Sequence, residues 1–198
     1  MQPNSWRLFV AVQLEAEANR ELQRWVDLAQ PLAGELGLKL RWVPAEQRHL
    51  TLQFLGACEP ALVEQLARRI SLALSARTPI DYSWSSVETF GAPQRARVIF
   101  AALRSKGTAL DELAIEVREQ LRGVGCAPDK PFHGHVTLAR LQPQRDSGRL
   151  LEAWRPRLTK PGREVARYQL RRVALMRSQL GPRGAHYQTL VQWTLSGM

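Results

Sequence analysis

Apolar residues recur along the first half of the chain with two spacings, and each spacing predicts a different element. A dense apolar run over residues 6–13 predicts an opening strand, because β-branched and aromatic residues favour strands. Apolar positions then recur every three or four residues, as on one helix face, which predicts helices over residues 15–30 and 60–76. Pro31 is expected to end the first helix, since proline interrupts the helical hydrogen-bond ladder. A second apolar run predicts a strand over residues 48–55.

The second half of the chain repeats this order of elements. The run Arg97–Ala101 predicts a strand, and a helix is expected between Thr108 and Gly123. Strands and helices that alternate in two similar halves predict an α+β fold of two lobes. Each lobe is expected to be an antiparallel sheet with helices on its outer face, and a pseudo-twofold axis relates the two around a central cleft. Residues 1–198 are expected to form a single bilobal domain. The remaining predicted elements are extended stretches over 41–44 and 79–87, a strand over 132–141, a short helix over 148–157, and strands over 164–176 and 185–196.

A four-residue motif occurs twice, once in each half. His49–Leu52 has the sequence His-Leu-Thr-Leu and His135–Leu138 has His-Val-Thr-Leu, so the histidines are 135 − 49 = 86 residues apart. In a strand, residues i and i+2 point to the same face. Each copy therefore presents one imidazole and one hydroxyl on one side, with apolar side chains on the other. Two such strands predict two half-sites that face each other across the cleft.

The balance of charges is strongly basic. The chain has 28 lysines and arginines against 18 aspartates and glutamates, which gives a net charge of +10. Only 4 of the 28 are lysine, which leaves 28 − 4 = 24 arginines. Arginine suits phosphate oxygens because its planar fork donates two parallel hydrogen bonds. This charge favours a polyanionic partner such as RNA, although a GC-rich coding sequence would raise the arginine content in the same way.

Neither the apolar runs nor the cysteines indicate export or a membrane. The chain has no run of about 18 apolar residues, and no basic segment followed by an apolar one precedes the first strand. Cys58 and Cys126 lack the spacing of a metal site and are expected to be thiols with structural or incidental roles. The expected location is the cytoplasm.

The two motifs and their surroundings resemble a known family. The repeated motif is similar to the paired His-x-Thr-x motifs of the 2H phosphoesterase superfamily. Within that superfamily, the surrounding residues look like those of the bacterial and archaeal RNA 2′,3′-cyclic phosphodiesterases, also called 2′-5′ RNA ligases. The chain departs from the family at Lys130, where the family often has arginine, and at Gly134, where it often has proline. The resemblance covers nearly the full length, in the segments 7–12, 41–44, 49–56, 130–140, 175–180 and 184–187.

The resemblance implies hydrolysis of an RNA 2′,3′-cyclic phosphate to a 2′-phosphomonoester, without a metal or other cofactor. The reaction needs an acid for the departing oxygen and a base for the attacking water, and an imidazole with a pKa of about 6.5 can be either. By resemblance, His49 is the proton donor and His135 is the proton acceptor. Thr51 and Thr137 are expected to hydrogen-bond the non-bridging phosphate oxygens. The same site run in reverse would join RNA ends through a 2′-5′ bond.

Three basic residues are candidates for binding the substrate. The resemblance gives Arg140 a role at the phosphate, but strict alternation from His135 places residue 140 on the opposite face unless a bulge intervenes. Arg41 and Lys130 would add positive charge at the cleft, or are solvated side chains. The same alternation places Phe54 in the core rather than against a nucleobase.

Two further histidines have different interpretations. His133 shares a strand face with His135, as two ligands of a metal would. No carboxylate lies at metal-site spacing, so a supporting or incidental role is favoured for His133. His186, in the last predicted strand, is interpreted as structural.

Several functions stay open at this point. The same fold could act on a small cyclic nucleotide phosphate, or the chain could be a non-catalytic RNA-binding protein, although two intact motifs argue against the latter. A metal-dependent hydrolase is the fourth possibility, and sensitivity to chelators would identify it. The expected partner is RNA with cyclic-phosphate ends, tRNA fragments among them, and the chain is expected to be a monomer.

Overall fold

The computed structural model describes residues 5–124, 131–158, 165–181 and 184–197. The described ranges confirm the α+β class. Their helices are α1 (Ala16–Glu35), α2 (Val63–Leu74), α3 (Ala109–Leu121) and α4 (Gly148–Trp154). Their strands are β1 (Trp6–Gln13), β2 (Leu40–Trp42), β3 (His49–Cys58), β4 (Ile80–Thr89), β5 (Ala96–Ser105), β6 (His135–Arg145), β7 (Tyr168–Leu170), β8 (Arg172–Gly181) and β9 (Gly184–Thr194).

The strands form one antiparallel sheet with two similar halves. The strand order is β7-β4-β5-β6-β3-β1-β8-β9, and the short β2 pairs with β6. At the centre, β3 and β6 pair through Leu50 and Val136, which are the second residues of the two motifs. The expected two-lobed arrangement is therefore confirmed, and the two sheets are continuous through the two motif strands.

The helices and the main core lie on one face of this sheet. Helix α2 packs against α3, and α1 packs against α4. The helix-facing side chains of the motif strands, Leu50, Val136 and Leu138 among them, are fully buried in this core. The opposite face carries a much smaller apolar cluster around Phe9 and Ala11. The sheet thus separates the apolar core from the face that carries the motif histidines.

Helix α1 is longer than predicted. It continues through Pro31 and ends at Glu35. A proline inside a helix costs about 3 kcal/mol. Leu32 and Ala33 follow it, are buried against the core and offset that cost, since burying one leucine side chain contributes about 1.5–3 kcal/mol.

The stretch predicted as one strand over residues 164–176 contains two strands that belong to different halves of the sheet. β7 pairs with β4, whereas β8 pairs with β1. The chain therefore crosses between the halves at Arg171. The apolar pattern of this stretch does not show such a crossing, because it does not specify the strand with which each part pairs.

Two observations bear on the environment of the protein. Cys58 is buried and disulfide-bonded, so the expectation of a thiol at this position is wrong. A disulfide requires a particular geometry of two cysteine side chains, and the spacing of cysteines in a sequence does not show that geometry. Cys126 lies outside the described residues. Among the described helices, none is both long and apolar enough to cross a membrane.

Candidate active site

The two motifs lie side by side at the centre of the sheet. The antiparallel pair Leu50–Val136 fixes their register. One residue away in that register, His49 lies across from Thr137 and Thr51 lies across from His135. Each imidazole is therefore next to the threonine of the other motif. The two predicted half-sites therefore form one site on adjacent, paired strands, rather than lying apart on opposite sides of a cleft.

Each motif strand contains a β-bulge at the same position of the motif. In β3, Ala11 pairs with Thr51 and Val10 with Gln53, so Leu52 is the extra residue. In β6, the register with β5 shifts in the same way and leaves Leu138 as the extra residue. The two bulged residues are 138 − 52 = 86 residues apart, like the histidines. An extra residue reverses the alternation of the strand beyond it.

The bulges bring two more side chains to the face that carries the histidines. Phe54 pairs with Phe9, and Arg140 pairs with Val98, on the same face as the motif threonines. The prediction that Phe54 lies in the core is wrong, since its side chain is 53% exposed. Strict alternation placed Arg140 on the face opposite to His135. The bulge at Leu138 shifts the alternation by one residue, so Arg140 lies on the same face as His135.

Both histidines have the same kind of backbone partner, the carbonyl oxygen two residues earlier in the chain. Nδ1 of His49 donates to the carbonyl oxygen of Gln47 at 2.8 Å, and Nδ1 of His135 donates to that of His133 at 2.7 Å. A carbonyl oxygen only accepts, so the proton is held on Nδ1 in each ring. In both rings, Nε2 is left as the atom that can take up or release a proton.

Aromatic rings hold the two imidazoles in place. The ring centroid of His49 lies 4.9 Å from those of both Phe9 and Tyr187. That of His135 lies 4.8 Å from Phe90, nearly perpendicular to it. These rings restrict the motion of the imidazoles and exclude water from one side of each.

Burial makes both imidazoles poorer proton acceptors than free histidine. The pKa of His49 lies below its ordinary value chiefly because of burial, although the bond to Gln47 raises it. Positive charge on His135 and Arg140 lowers the pKa of His49 further. The pKa of His135 is lowered in the same way, by burial first and by His133 and Arg140 in addition. The two imidazoles are thus electrostatically coupled, and one proton on the pair disfavours a second.

Two arginines lie together beside the histidines. Arg41 in β2 pairs directly with Arg140 in β6. Both side chains are exposed, and neither forms a salt bridge within the described residues. The charge of Arg140 acts on both imidazoles. Two guanidinium groups without a carboxylate partner are suited to binding an anion such as a phosphate.

A small cavity of about 150 Å³ lies in front of His135 and Thr51. Its rim is aromatic, with Phe54, Phe90 and Phe132. A cavity of this size accommodates a phosphate group rather than a whole nucleotide. The exposed aromatic rings are placed to contact a sugar or a base that extends out of it.

Comparison with known proteins agrees with this geometry. A family model described as the 2′-5′ RNA ligase superfamily matches residues 14–182. The chain belongs to the 2′-5′ RNA ligase superfamily.

Curated relatives in the 2′-5′ RNA ligase superfamily have moderate identity to this chain. The RNA 2′,3′-cyclic phosphodiesterase of Archaeoglobus fulgidus is 33% identical over 138 residues, which are 69% of this chain and 73% of the relative. The RNA 2′,3′-cyclic phosphodiesterase of Geobacillus stearothermophilus is 29% identical over 136 residues, or 67% of this chain. This match spans 41% of the Geobacillus protein.

Two solved structures match the fold of this protein over almost its whole chain. TT0787 of Thermus thermophilus has a TM-score of 0.75 at 27% identity, and the match covers 96% of this chain and 98% of that one. LigT of E. coli, complexed with 3′-AMP, has a TM-score of 0.68 at 25% identity, and the match covers 98% of this chain and 99% of that one. The fold of the chain is therefore that of these proteins.

The remaining candidate residues are His133, His186 and Lys130. His133 is exposed, lines the cavity and supplies the carbonyl oxygen that orients His135. No group of three or more histidine, cysteine or carboxylate side chains suited to a metal ion occurs in the described ranges. His186 is exposed in β9, opposite Gln179. Lys130 lies outside the described residues.

The aromatic rings that hold the histidines were not predicted. Phe100 lies in a strand that was predicted, but its contact with His135 depends on the register of β5 against β6. Tyr187 reaches His49 from a strand 138 residues further along the chain (187 − 49 = 138). Pairing between strands that are distant in sequence carries no local signal, so neither contact could be predicted from spacing.

Proposed function

We propose that this protein hydrolyses RNA 2′,3′-cyclic phosphate ends to 2′-phosphomonoesters by acid–base catalysis. One observation carries the proposal. Two imidazoles lie on one face of the sheet, with Nδ1 of each bound to its own backbone carbonyl, so that both Nε2 atoms are available for proton transfer. A base and an acid are the two groups that opening of a phosphate ring by water requires.

Each histidine has one role in this reaction. His135 Nε2 takes a proton from water as the water oxygen bonds to phosphorus. The bond between phosphorus and O3′ breaks, its electron pair goes to O3′, and His49 Nε2 gives that oxygen a proton. The product keeps the phosphate on O2′. One proton has entered the pair and one has left it, so the pair returns to its starting charge.

The neighbouring groups stabilise the charge on the phosphate. The hydroxyls of Thr51 and Thr137 donate to the non-bridging oxygens, on which negative charge builds up in the transition state. Arg140, with Arg41 beside it, offsets the charge of the bound phosphate. Lys130 is proposed as a third cation at this end of the substrate. No cofactor takes part in these steps.

The relatives support RNA as the substrate class. Curated relatives are named RNA 2′,3′-cyclic phosphodiesterases, and a structural neighbour of similar fold is complexed with 3′-AMP. The net charge of +10 also favours a polyanion. The same proton transfers in reverse would join a 2′,3′-cyclic end to a 5′-hydroxyl through a 2′-5′ bond, so a weak ligase activity is part of the proposal.

The proposal extends to the setting in which the protein acts. Residues 1–198 act as a single bilobal domain and as a monomer in the cytoplasm. The substrates are RNA fragments with cyclic-phosphate ends, such as those of cleaved tRNA. No membrane takes part.

Hydrolysis of a short oligonucleotide with a 2′,3′-cyclic phosphate end, in the presence of EDTA, tests the proposed function. The expected product is the 2′-phosphate alone, resolved chromatographically from the 3′-phosphate. His49→Ala and His135→Ala are each expected to lower kcat by about 10²–10⁴-fold, the usual contribution of one acid or base. His186→Ala is the matched control, because that histidine is exposed and outside the cavity.

Three results would contradict the proposal. They are a folded His49→Ala or His135→Ala variant with a normal rate, a 3′-phosphate product, and loss of activity in EDTA. Circular dichroism of each variant shows whether it is folded.

A further inference from the structure

A second and larger cavity adjoins the catalytic cavity. Its volume is about 510 Å³, against about 150 Å³ for the cavity at His135. Phe132 and His133 line both cavities and form the boundary between them. The reaction steps proposed above use none of the side chains that line the larger cavity. A cavity of this size lies within the range of about 300–1,000 Å³ that is usual for binding small organic molecules.

The larger cavity continues the face of the sheet that carries His135. Ala102 in β5 pairs with His135, and Arg104 lies two residues further along β5, on the same face. Ser86 in β4 pairs with Ala102 and extends this face to the next strand. An RNA strand that extends from the catalytic cavity past Phe132 would therefore lie over β5 and β4.

The wall of this cavity has the groups that a nucleotide would contact. Arg104 is exposed and forms no salt bridge within the part of the chain that the structure describes. Ser85 and Ser105 also line the cavity, and Phe132 is among its apolar lining residues. A free guanidinium suits a phosphate, hydroxyls suit a ribose, and an aromatic ring suits a base.

Two carboxylates limit where a phosphate can lie. Glu88 accepts a hydrogen bond from Ser86 at 2.5 Å, and Asp111 lies at the start of α3. Both would repel a phosphate and would accept hydrogen bonds from ribose hydroxyls or base amino groups. The part of the cavity near Arg104 is therefore where a phosphate is expected.

We propose that this cavity binds the nucleotide that precedes the cyclic-phosphate end of the RNA. Arg104 contacts its backbone phosphate, and its base stacks against Phe132 or His133. The terminal nucleoside then occupies the aromatic rim of the catalytic cavity, at Phe54 and Phe90. This inference rests on the proposed function, and it makes the enzyme selective for oligonucleotides over cyclic mononucleotides.

The test compares two substrates in an Arg104→Ala variant. One is a cyclic mononucleotide and the other is a five-nucleotide RNA with the same terminal base, both ending in a 2′,3′-cyclic phosphate. The variant is expected to lower kcat/KM for the five-nucleotide RNA about tenfold, mainly through KM, and to change hydrolysis of the mononucleotide by less than about twofold. The slope of log(kcat/KM) against log salt concentration for the longer RNA is expected to become shallower by about 0.7, the contribution of one phosphate contact on a single strand.

The matched control removes an arginine on the helix side of the sheet. Arg68 in α2 is exposed and forms a salt bridge with Glu64, so Arg68→Ala lowers the net charge equally without reaching the cavity. The inference is overturned if Arg104→Ala impairs both substrates equally, or impairs the longer RNA no more than Arg68→Ala does.

A binding measurement keeps this inference separate from the proposed function. If the wild-type protein hydrolyses neither substrate, the proposed function fails. Fluorescence anisotropy with a labelled five-nucleotide RNA that ends in a 2′-phosphate then decides about the cavity. Weaker binding in Arg104→Ala than in Arg68→Ala supports the subsite, and equal binding overturns it.

Discussion

The two catalytic candidates share one local arrangement at the residue scale. Nδ1 of each histidine binds the carbonyl oxygen two residues before it in the chain. The repeated motif predicted which histidines matter, because the same spacing of imidazole and hydroxyl occurs twice. It could not predict the tautomer or the lowered pKa values, since these depend on a backbone conformation and on burial by distant strands.

The lowered pKa values predict an acid-shifted pH profile. The active form has one proton on the His49–His135 pair, and kcat/KM falls as that proton is lost. Both pKa values lie below the ordinary 6.5, so the basic limb of kcat/KM is expected below about pH 6.5. Arg140→Gln removes a positive charge that disfavours the imidazolium, so it should move the basic limb to higher pH. Initial rates measured between about pH 5 and about pH 8 give the position of the basic limb in the wild-type protein and its shift in Arg140→Gln.

Arg68→Gln is the control for this shift, because Arg68 lies on α2 and acts on neither imidazole. A basic limb that stays in place in Arg140→Gln would contradict the assignment of the limb to the histidine pair. A shift of equal size in Arg68→Gln would show a general effect of net charge.

At the scale of elements, the paired bulges decide which side chains reach the site. Alternation predicted both motif strands, but it assigned Phe54 to the core and Arg140 to the opposite face. The bulges at Leu52 and Leu138 reverse both assignments. A bulge is visible only in the pairing with a neighbouring strand, so a single strand's sequence does not reveal it.

The bulge at Leu52 predicts opposite effects for two adjacent residues. Phe54→Ala is expected to change the free energy of unfolding by less than about 1 kcal/mol, since the ring is 53% exposed, and to raise KM for RNA. Leu55→Ala should cost about 2–5 kcal/mol, because its side chain is fully buried. Urea denaturation of both variants gives the free energies, and initial rates give KM. A larger loss of stability in Phe54→Ala than in Leu55→Ala would contradict the observed register.

At the scale of the whole molecule, the site is built from both halves of one sheet. His49 lies at the edge of the half formed by β3, β1, β8 and β9, and His135 lies at the edge of the other half. The repeat in the sequence predicted this two-lobed arrangement. The crossing of the chain between the halves at Arg171 was not predicted, because only Arg171 separates β7 from β8 and the sequence does not show which strand each of them pairs with.

The proton donor from one half and the acceptor from the other can be distinguished by the leaving group. In a cyclic substrate with sulfur in place of O3′, the leaving group departs as a thiolate. A thiolate needs no acid, because a thiol has a pKa of about 8.5. With this substrate, His49→Ala should regain most of the wild-type rate, whereas His135→Ala should stay as slow as with the oxygen substrate. The ratio of sulfur to oxygen rates in the two variants is therefore the most direct measurement. Rescue of His135→Ala instead, or of neither variant, would contradict the assigned roles.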